Sequence, residues 1–294
     1  MPHPSSTARG RRPTVMSKVV SVGSVVAVVF ALAVSLFALP TVIAVDTHFA
    51  RIEPVKPSFP ITVDPHNQVI TEDPKVEAIL DNHTSSLQAA AITAGDVLVR
   101  LAQFISALPA YHMLAGADAS GVVIIRAGYR QEEVATAFAR ELGWNAKQKA
   151  TFVRFLQVSE PIMSEGEFVP GTYAVRGLMA PGDVQIMLDE RFNKEIEARY
   201  STSTEALLPL KDALTIASML EKETKDPTEM RIISGIIWNR LWSDMKLQID
   251  ATLQYAKASN NKTATAWWGP VLPKDKYIKS PYNTYQHKGL PPGP

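Results

Sequence analysis

The chain has 294 residues with 30 basic and 29 acidic side chains, so its charge balance gives no indication of nucleic-acid binding. This length is enough for one large or two modest domains. The chain contains no cysteine, which excludes disulfides, zinc–thiolate sites and thiol catalysis. Its six histidines are scattered without an HExxH or other ligand spacing, so we expect neither a metal site nor a cofactor.

The first 45 residues predict a membrane anchor. Residues 1–18 are basic and contain no acid, and residues 19–45 carry no charge. Because a bilayer core of ~30 Å is crossed by about 20 apolar helical residues, the second segment can form a transmembrane helix. The basic residues before it predict a cytoplasmic N-terminus, with everything from Asp46 onward outside. A cleaved signal peptide ending near Ala44 is the alternative, although such a peptide has an apolar core of only about 7–15 residues.

The next two segments are predicted to connect the membrane anchor to the rest of the chain, and neither contains candidate catalytic or binding residues. Residues 46–73 contain four prolines and no helical periodicity, which indicates an extended linker. From Pro74 to about Leu108 the sequence is amphipathic in part, and it predicts a spacer helix that breaks near Gly95.

A strand–turn–helix pattern follows the spacer. Gly121–Ala127 is a β-branched run typical of a buried strand, and Gly128 follows it as a turn. Periodic apolar residues then predict three helices, over Gln131–Gly143, over Ala146–Gln157 and from Pro181 to about Tyr200. Residues 74–200 thus comprise the spacer and a strand–helix module.

Residues 201–294 form the region in which we expect the chemistry. Ser201–Thr204 is the predicted joint, and a helix then runs from Leu208 or Asp212 to Thr224. Asp226-Pro227 ends that helix and starts a second one, to about Trp242. The alternation over Lys246–Asp250 predicts a short strand. The second helix carries a broad apolar face, formed by Ile232, Ile233, Ile236, Ile237, Trp238 and Leu241.

Two glutamates end the first of these helices. At 3.6 residues per turn, Glu221 and Glu223 point in nearly opposite directions. Glu223 shares its face with Ile216, Met219 and Leu220, and a carboxyl beside apolar side chains loses hydration, which raises its pKa. We therefore expect Glu223 to act as an acid and base and Glu221 to be solvated or ion-paired. The alternative for Glu223 is a solvent-facing side chain at a helix end, the usual place of glutamate.

Four sequence blocks in order resemble the YceG-like (MltG) endolytic murein transglycosylases. They are EKET, IIWNRL, MKLQIDATLQY and SPYNTYQHKGLPPGP, between about Ala213 and Pro294. The family's EGxxFPDTY block is similar to Glu165–Tyr173, with Gly171 where the family usually has aspartate. The resemblance implies an α+β fold, in which a LysM-like strand–helix module precedes the catalytic domain, residues 201–294. By the same resemblance we expect that domain to be incomplete, because the family continues beyond Pro294.

The resemblance also implies a function and a site. The family's catalytic glutamate falls on Glu223, and the substrate is the glycan strand of peptidoglycan, beside the inner membrane and with peptidoglycan synthases as candidate partners. Cleavage would leave 1,6-anhydro-muramyl ends and could terminate nascent strands. The implied substrate-binding residues around Glu223 are Asn239, Arg240, Gln248, Asp250, Tyr255, Asn283 and Tyr285.

Several alternatives stay open. Asp250 could orient Arg240 or a substrate hydroxyl, or it could be a second carboxylate that makes the protein a hydrolytic muramidase. Arg240 could instead be a structural ion-pair partner. Trp267 and Trp268 could stack on sugar rings or fill the core. A membrane-anchored protein that binds peptidoglycan without cutting it is a further alternative. The family commonly has proline at the position of Ala251, a difference that frees the backbone there.

Overall fold

The computed structural model describes residues 120–158, 165–260 and 267–294, together with 58–59, 62–71 and scattered positions between residues 38 and 105. The predicted cytoplasmic tail and nearly all of the predicted transmembrane and spacer helices lie outside these residues. Within the described part of the chain, no helix combines the length and the apolar composition that crossing a membrane requires.

A small hairpin stands where the sequence predicts an extended linker. Strands β1 (Val63–Asp64) and β2 (Val69–Ile70) pair antiparallel, with Val63 opposite Ile70. The Asp64 carboxylate accepts the backbone N–H groups of His66 and Asn67, at 3.0 and 2.9 Å, and these bonds stabilise the turn. The linker prediction is therefore wrong over residues 62–71, because a side chain satisfies the turn's backbone.

The strand–helix module is built on two antiparallel strands, β3 (Ser120–Ile125) and β4 (Gly171–Arg176). Helices α1 (Gln131–Glu141), α2 (Ala146–Val158) and α3 (Pro181–Glu195) complete it. The predicted strand and helices are confirmed, whereas β4 was not predicted. The core of the module includes Val123, Ile125, Val134, Phe138, Phe152, Leu156, Tyr173, Val175, Val184 and Leu188.

Gly171, at the start of β4, departs from the family pattern for a steric reason. Its φ is +144°, a conformation that side chains rarely adopt, and a Cβ there would lie 2.4 Å from Arg191 Nη2. The Arg191 guanidinium donates to the Thr172 carbonyl at 2.9 Å and lies 4.4 Å from the centre of the Tyr173 ring. Arginine thus occupies the space that an aspartate side chain would need.

The protein has two halves, the strand–helix module and residues 201–294. The connection between them contains more regular structure than the predicted joint. Helix α3 ends at Glu195, a 3₁₀ turn covers Glu197–Arg199, and a short helix α4 covers Thr202–Leu207. Ser201 caps α4 by accepting the Thr204 N–H at 3.2 Å. The predicted single helix to Tyr200 is therefore too long, and the joint is in fact a helix start.

Three helices carry the second half: α5 (Leu210–Glu223), α6 (Pro227–Trp242) and α7 (Asp250–Asn260). The predicted break between α5 and α6 is confirmed, because the Asp226 carboxylate accepts the N–H groups of Thr228 and Glu229 at 2.8 and 2.9 Å. A 3₁₀ turn at Pro273–Tyr277 precedes the last segment.

Two predictions in this half are wrong. The strand over Lys246–Asp250 does not form, since Gln248 has a φ of +55° and Asp250 is already the first residue of α7. The apolar face of α6 is also narrower than predicted, because Ile232 and Ile236 are 62% and 46% exposed. The core that α6 joins includes Ile216, Met219, Ile237, Trp238, Leu247, Ile249 and Ala251.

Candidate active site

Glu223 is the last residue of α5, and its carboxyl is exposed at the helix end. Thr224 ends the helix by donating from its hydroxyl to Glu229 at 2.5 Å and accepting the Asp226 N–H at 3.1 Å. Partial burial, followed by the negative charge of Asp250, raises the pKa of Glu223. This is the direction that the helical-face argument predicts.

Glu221 lies on a different side of the same helix. It forms an ion pair with Lys225, one turn further along, and Lys225 also donates to the Glu221 carbonyl at 2.8 Å. The expectation that Glu221 is solvated or ion-paired is confirmed.

Asp250 and Tyr285 meet beside Glu223. The Tyr285 hydroxyl donates to Asp250 Oδ1 at 2.7 Å, and this bond is the main cause that raises the pKa of Tyr285 to about 12. The charges of Glu223 and Arg240 act on Tyr285 as well, so the structure brings these four predicted residues together. Asp250 is oriented by Tyr285, rather than orienting Arg240 as one alternative held. We refer to Glu223, Asp250 and Tyr285 together as the Glu223 corner.

Asn239 and Arg240 lie near the end of α6, and Gln248 lies on the connection between α6 and α7. The Arg240 guanidinium donates to the Leu247 carbonyl and thereby holds the segment between α6 and α7. Gln248 is exposed, and its backbone N–H donates to the Thr284 carbonyl at 3.1 Å. Asn239 is exposed near the end of α6. The side chains of Gln248 and Asn239 are therefore accessible to a ligand.

Asn283 is placed differently from the prediction of a substrate contact. It is 0% exposed, and its amide nitrogen donates to the carbonyls of Lys276 and Ile278, at 3.1 and 2.8 Å. Its amide oxygen accepts the Tyr285 N–H at 3.0 Å. Both amide hydrogens are therefore used within the protein, and Asn283 shapes the loop that presents Tyr285.

Tyr255 is also apart from the Glu223 corner. Its hydroxyl donates to Glu165 Oε1 at 3.2 Å, and its ring centroid lies 4.6 Å from that of Tyr282. These three residues line a cavity of about 210 Å³, which Ser218 and Lys222 of α5 also line. Glu223 does not line this cavity, so α5 has a carboxyl at its exposed end and a separate cavity along its side.

Glu165 was not among the predicted site residues. Burial raises its pKa to about 7, even though the nearby Arg130 charge opposes the rise. The sequence signal for it was available, because Glu165 opens the EGEFVPGTY block. Adjacent Gly166 packs tightly, since a Cβ there would lie 3.3 Å from Leu214 Cβ of α5.

The two tryptophans lie at the junction of the two halves. Trp268 Nε1 donates to Glu133 Oε2 at 3.2 Å, and Lys222 Nζ lies 3.4 Å from the centre of its ring. The Arg130 guanidinium lies 4.9 Å from the centre of the Trp267 ring. These contacts favour the packing alternative over sugar stacking. In the described residues, no group of three or more histidine or carboxylate side chains could hold a metal ion.

Comparison with known proteins supports the family resemblance and the α+β fold. A model of the YceG-like family matches residues 66–294. A Streptococcus pneumoniae protein named endolytic murein transglycosylase is 32% identical over 133 residues, which cover 44% of this chain and 23% of that protein. A Bacillus subtilis protein of the same name is 27% identical over 194 residues, covering 58% of this chain and 51% of that protein. The chain thus spans between 23% and 51% of the length of these relatives.

A solved structure supports the α+β architecture. The crystal structure of a YceG-like protein of Listeria monocytogenes matches with a TM-score of 0.51 and 25% identity. The match covers 60% of this chain and 62% of that one.

Proposed function

This chain belongs to the YceG-like family, and we propose on that basis that it is a lytic transglycosylase that cuts peptidoglycan glycan strands internally, with Glu223 as its acid and base. The observation that carries the proposal is the position of Glu223. Its carboxyl is accessible at a helix end, its pKa is raised, and Asp250 and Tyr285 lie beside it. The name shared by the pneumococcal and Bacillus relatives supports the same reaction.

One carboxyl is sufficient for this reaction. Protonated Glu223 donates its proton to the glycosidic oxygen, and the bond from that oxygen to C1 of muramic acid breaks. The 6-hydroxyl of the same sugar then attacks C1, and the Glu223 carboxylate accepts the hydroxyl proton. The product is a 1,6-anhydro end, no water is consumed, and Glu223 is protonated again. A raised pKa suits this cycle because the carboxyl must hold a proton at the start.

Asp250 and Tyr285 influence the protonation of Glu223 without exchanging protons with the substrate. The charge of Asp250 favours the protonated form of Glu223, and the hydrogen bond from Tyr285 fixes where that charge lies. The exposed side chains of Asn239 and Gln248 are placed to bind sugar hydroxyl or acetamido groups. We assign Arg240 mainly to holding the α6–α7 connection.

The test compares two glutamates on one helix. Purified full-length protein, Glu223→Gln and Glu221→Gln are each incubated with sacculi, and the fragments are analysed by mass spectrometry. We expect wild type and Glu221→Gln to release fragments about 18 Da lighter than hydrolysis products, because no water is added. Glu223→Gln should release none. Release of anhydro fragments by Glu223→Gln would refute the proposal.

The same experiment separates the two other functions. Reducing-end products that disappear in Asp250→Asn would establish a muramidase with two carboxylates. Unchanged sacculi that nonetheless retain the protein in a pull-down would establish a binding protein without activity.

The proposal extends to the cell surface. It places residues 1–18 in the cytoplasm, residues 19–45 across the inner membrane as an uncleaved anchor, and the linker, the LysM-like module and the catalytic domain outside. Cutting beside the membrane would then terminate nascent strands, with peptidoglycan synthases as neighbours. The support is the charge pattern of the first 46 residues.

The absence of cysteine makes this topology testable. Single Ser5→Cys and Asn193→Cys variants are exposed to a membrane-impermeant maleimide in intact spheroplasts. We expect labelling at position 193 only, with position 5 labelled after lysis. Labelling at both positions before lysis would refute the orientation, and a mature chain that lacks position 5 would establish a cleaved signal peptide.

A further inference from the structure

Arg130 is a buried charge in the strand–helix module. It precedes α1 and is only 2% exposed, a rare position for an arginine unless it is paired. Glu132 supplies the pairing, with Oε2 accepting from Arg130 Nε at 3.1 Å. Nη2 also donates to Glu132 Oε1 at 3.4 Å, and both terminal nitrogens in addition reach residues of the other half of the protein.

The same guanidinium holds the end of α7. Nη1 donates to the Tyr255 carbonyl at 3.3 Å, and Nη2 donates to Ser259 Oγ at 3.1 Å. The guanidinium carbon lies 4.2 Å from the centre of the Tyr255 ring, and the Trp267 ring is 4.9 Å away. Two hydrogen bonds and two ring contacts therefore join the module to residues more than 120 positions later in the chain.

The opposite end of α7 lies in the Glu223 corner. Asp250 is the first residue of this helix, and four residues separate it from Tyr255. Because a helix rises about 1.5 Å per residue, Asp250 lies roughly 7.5 Å along the axis from Tyr255. The contacts of Tyr255 and Ser259 with Arg130 therefore contribute to the placement of Asp250, together with the hydrogen bonds that Ile249 and Thr252 make with Thr284. Asp250 in turn accepts from Tyr285 and acts on Glu223 through its charge.

We infer that Arg130 is a positioning residue, which holds α7 so that Asp250 stays beside Glu223. The strand–helix module then contributes to the reaction by holding α7, the helix that carries Asp250. The catalytic meaning of this role rests on the proposed function, whereas the placement of Asp250 can be measured without any activity.

The measurement is the titration of the Glu223 carboxyl by NMR in the full-length chain labelled with ¹³C-glutamate. Glu223→Gln identifies the resonance by its loss. Asp250 on α7 is the charge that acts on Glu223, and Glu223 acts in turn on Tyr285, as does Arg240 of α6. Glu221, Lys222 and Lys225 lie within two residues of Glu223 along the chain, and Glu229 of α6 accepts from the hydroxyl of the next residue, Thr224. Asp250→Asn should lower the midpoint, because a nearby negative charge is removed, and its shift gives the full scale of the effect.

Arg130→Ala should lower the Glu223 midpoint in the same direction, because a loosened α7 leaves Asp250 farther away on average. Arg126→Ala is the matched control, since Arg126 is an exposed arginine four positions earlier in the same module, and it should leave the midpoint unchanged. Ser259→Ala removes one of the two hydrogen bonds at an exposed position, and it should give a smaller shift even if Arg130→Ala fails to fold.

The double variant Arg130→Ala with Asp250→Asn decides between positioning and general stability. If Arg130 acts through Asp250, the double variant should titrate like Asp250→Asn alone. Additive shifts, or an unchanged midpoint in folded Arg130→Ala and Ser259→Ala, would overturn the inference. A wild-type protein that releases no fragments would refute the proposed function and leave this result standing.

Discussion

The carboxyl of Glu165 gives the protein a stability that depends on pH. Its pKa is about 7 in the folded state against an ordinary 4.5, because the half-buried side chain loses hydration at the cavity beside α5. Below pH 4.5 the carboxyl is protonated in both states and costs nothing. As the pH rises from 4.5 toward about 7, the unfolded chain releases this proton first, so the folded state loses stability over that window.

The size of the loss follows from the same two values. At about 1.4 kcal/mol per pKa unit, the loss approaches about 3 kcal/mol above pH 7, and remaining contact with water makes this an upper limit. Glu165→Gln removes the charge while its amide can still accept from the Tyr255 hydroxyl. The variant should therefore match wild type near pH 4.5 and be more stable than wild type near pH 8.

The assay is urea unfolding followed by tryptophan fluorescence, in one buffer series from pH 4.5 to 8. The five tryptophans include Trp144, which packs in the core of the module. Glu190→Gln, at an exposed glutamate of α3, controls for the loss of one negative charge. A difference in free energy of unfolding between wild type and Glu165→Gln that stays constant with pH would refute the reasoning.

Two departures from the family pattern give the remaining predictions. Gly171→Ala should lower the free energy of unfolding by about 1–3 kcal/mol, because of its φ of +144°. Gly171→Asp should lose at least as much, since it has the same φ and its larger side chain would have to displace the Arg191 guanidinium, and a smaller loss in urea unfolding would contradict this steric argument. Ala251→Pro lies in the first turn of α7, where proline is tolerated, and should raise stability by about 0.4–1 kcal/mol without loss of activity. A large destabilisation would show that the ring clashes with the core.

The parts of the fold that could be predicted depend on local physics. The break between α5 and α6 follows from Asp226 and Pro227, which act within one turn of chain. The different environments of Glu221 and Glu223 follow from the period of a single helix. The direction of the Glu223 pKa could be expected for the same reason, whereas its exposure matches the alternative of a solvent-facing glutamate at a helix end.

The parts that could not be predicted depend on contacts far apart in the chain. Gln248 adopts a φ of +55° while its N–H bonds to Thr284, and no local pattern reveals that bond. Tyr255 turns toward Glu165, which precedes it by 90 positions. The buried Asn283 could be identified only from the loop that it closes.

Two glutamates have raised pKa values: Glu223 at the end of α5, and Glu165, which lines the cavity beside that helix. The size of the rise does not decide which of them acts on the substrate. The rise at Glu165 is large enough to bring its pKa to about 7, yet that carboxyl already accepts from the Tyr255 hydroxyl at the cavity beside α5. Glu223 is exposed at the end of its helix, where a glycan strand can reach its carboxyl. On this accessibility we propose Glu223, rather than Glu165, as the residue that transfers the proton. Glu165→Gln should consequently retain activity while it changes the pH dependence of stability, whereas Glu223→Gln should abolish activity.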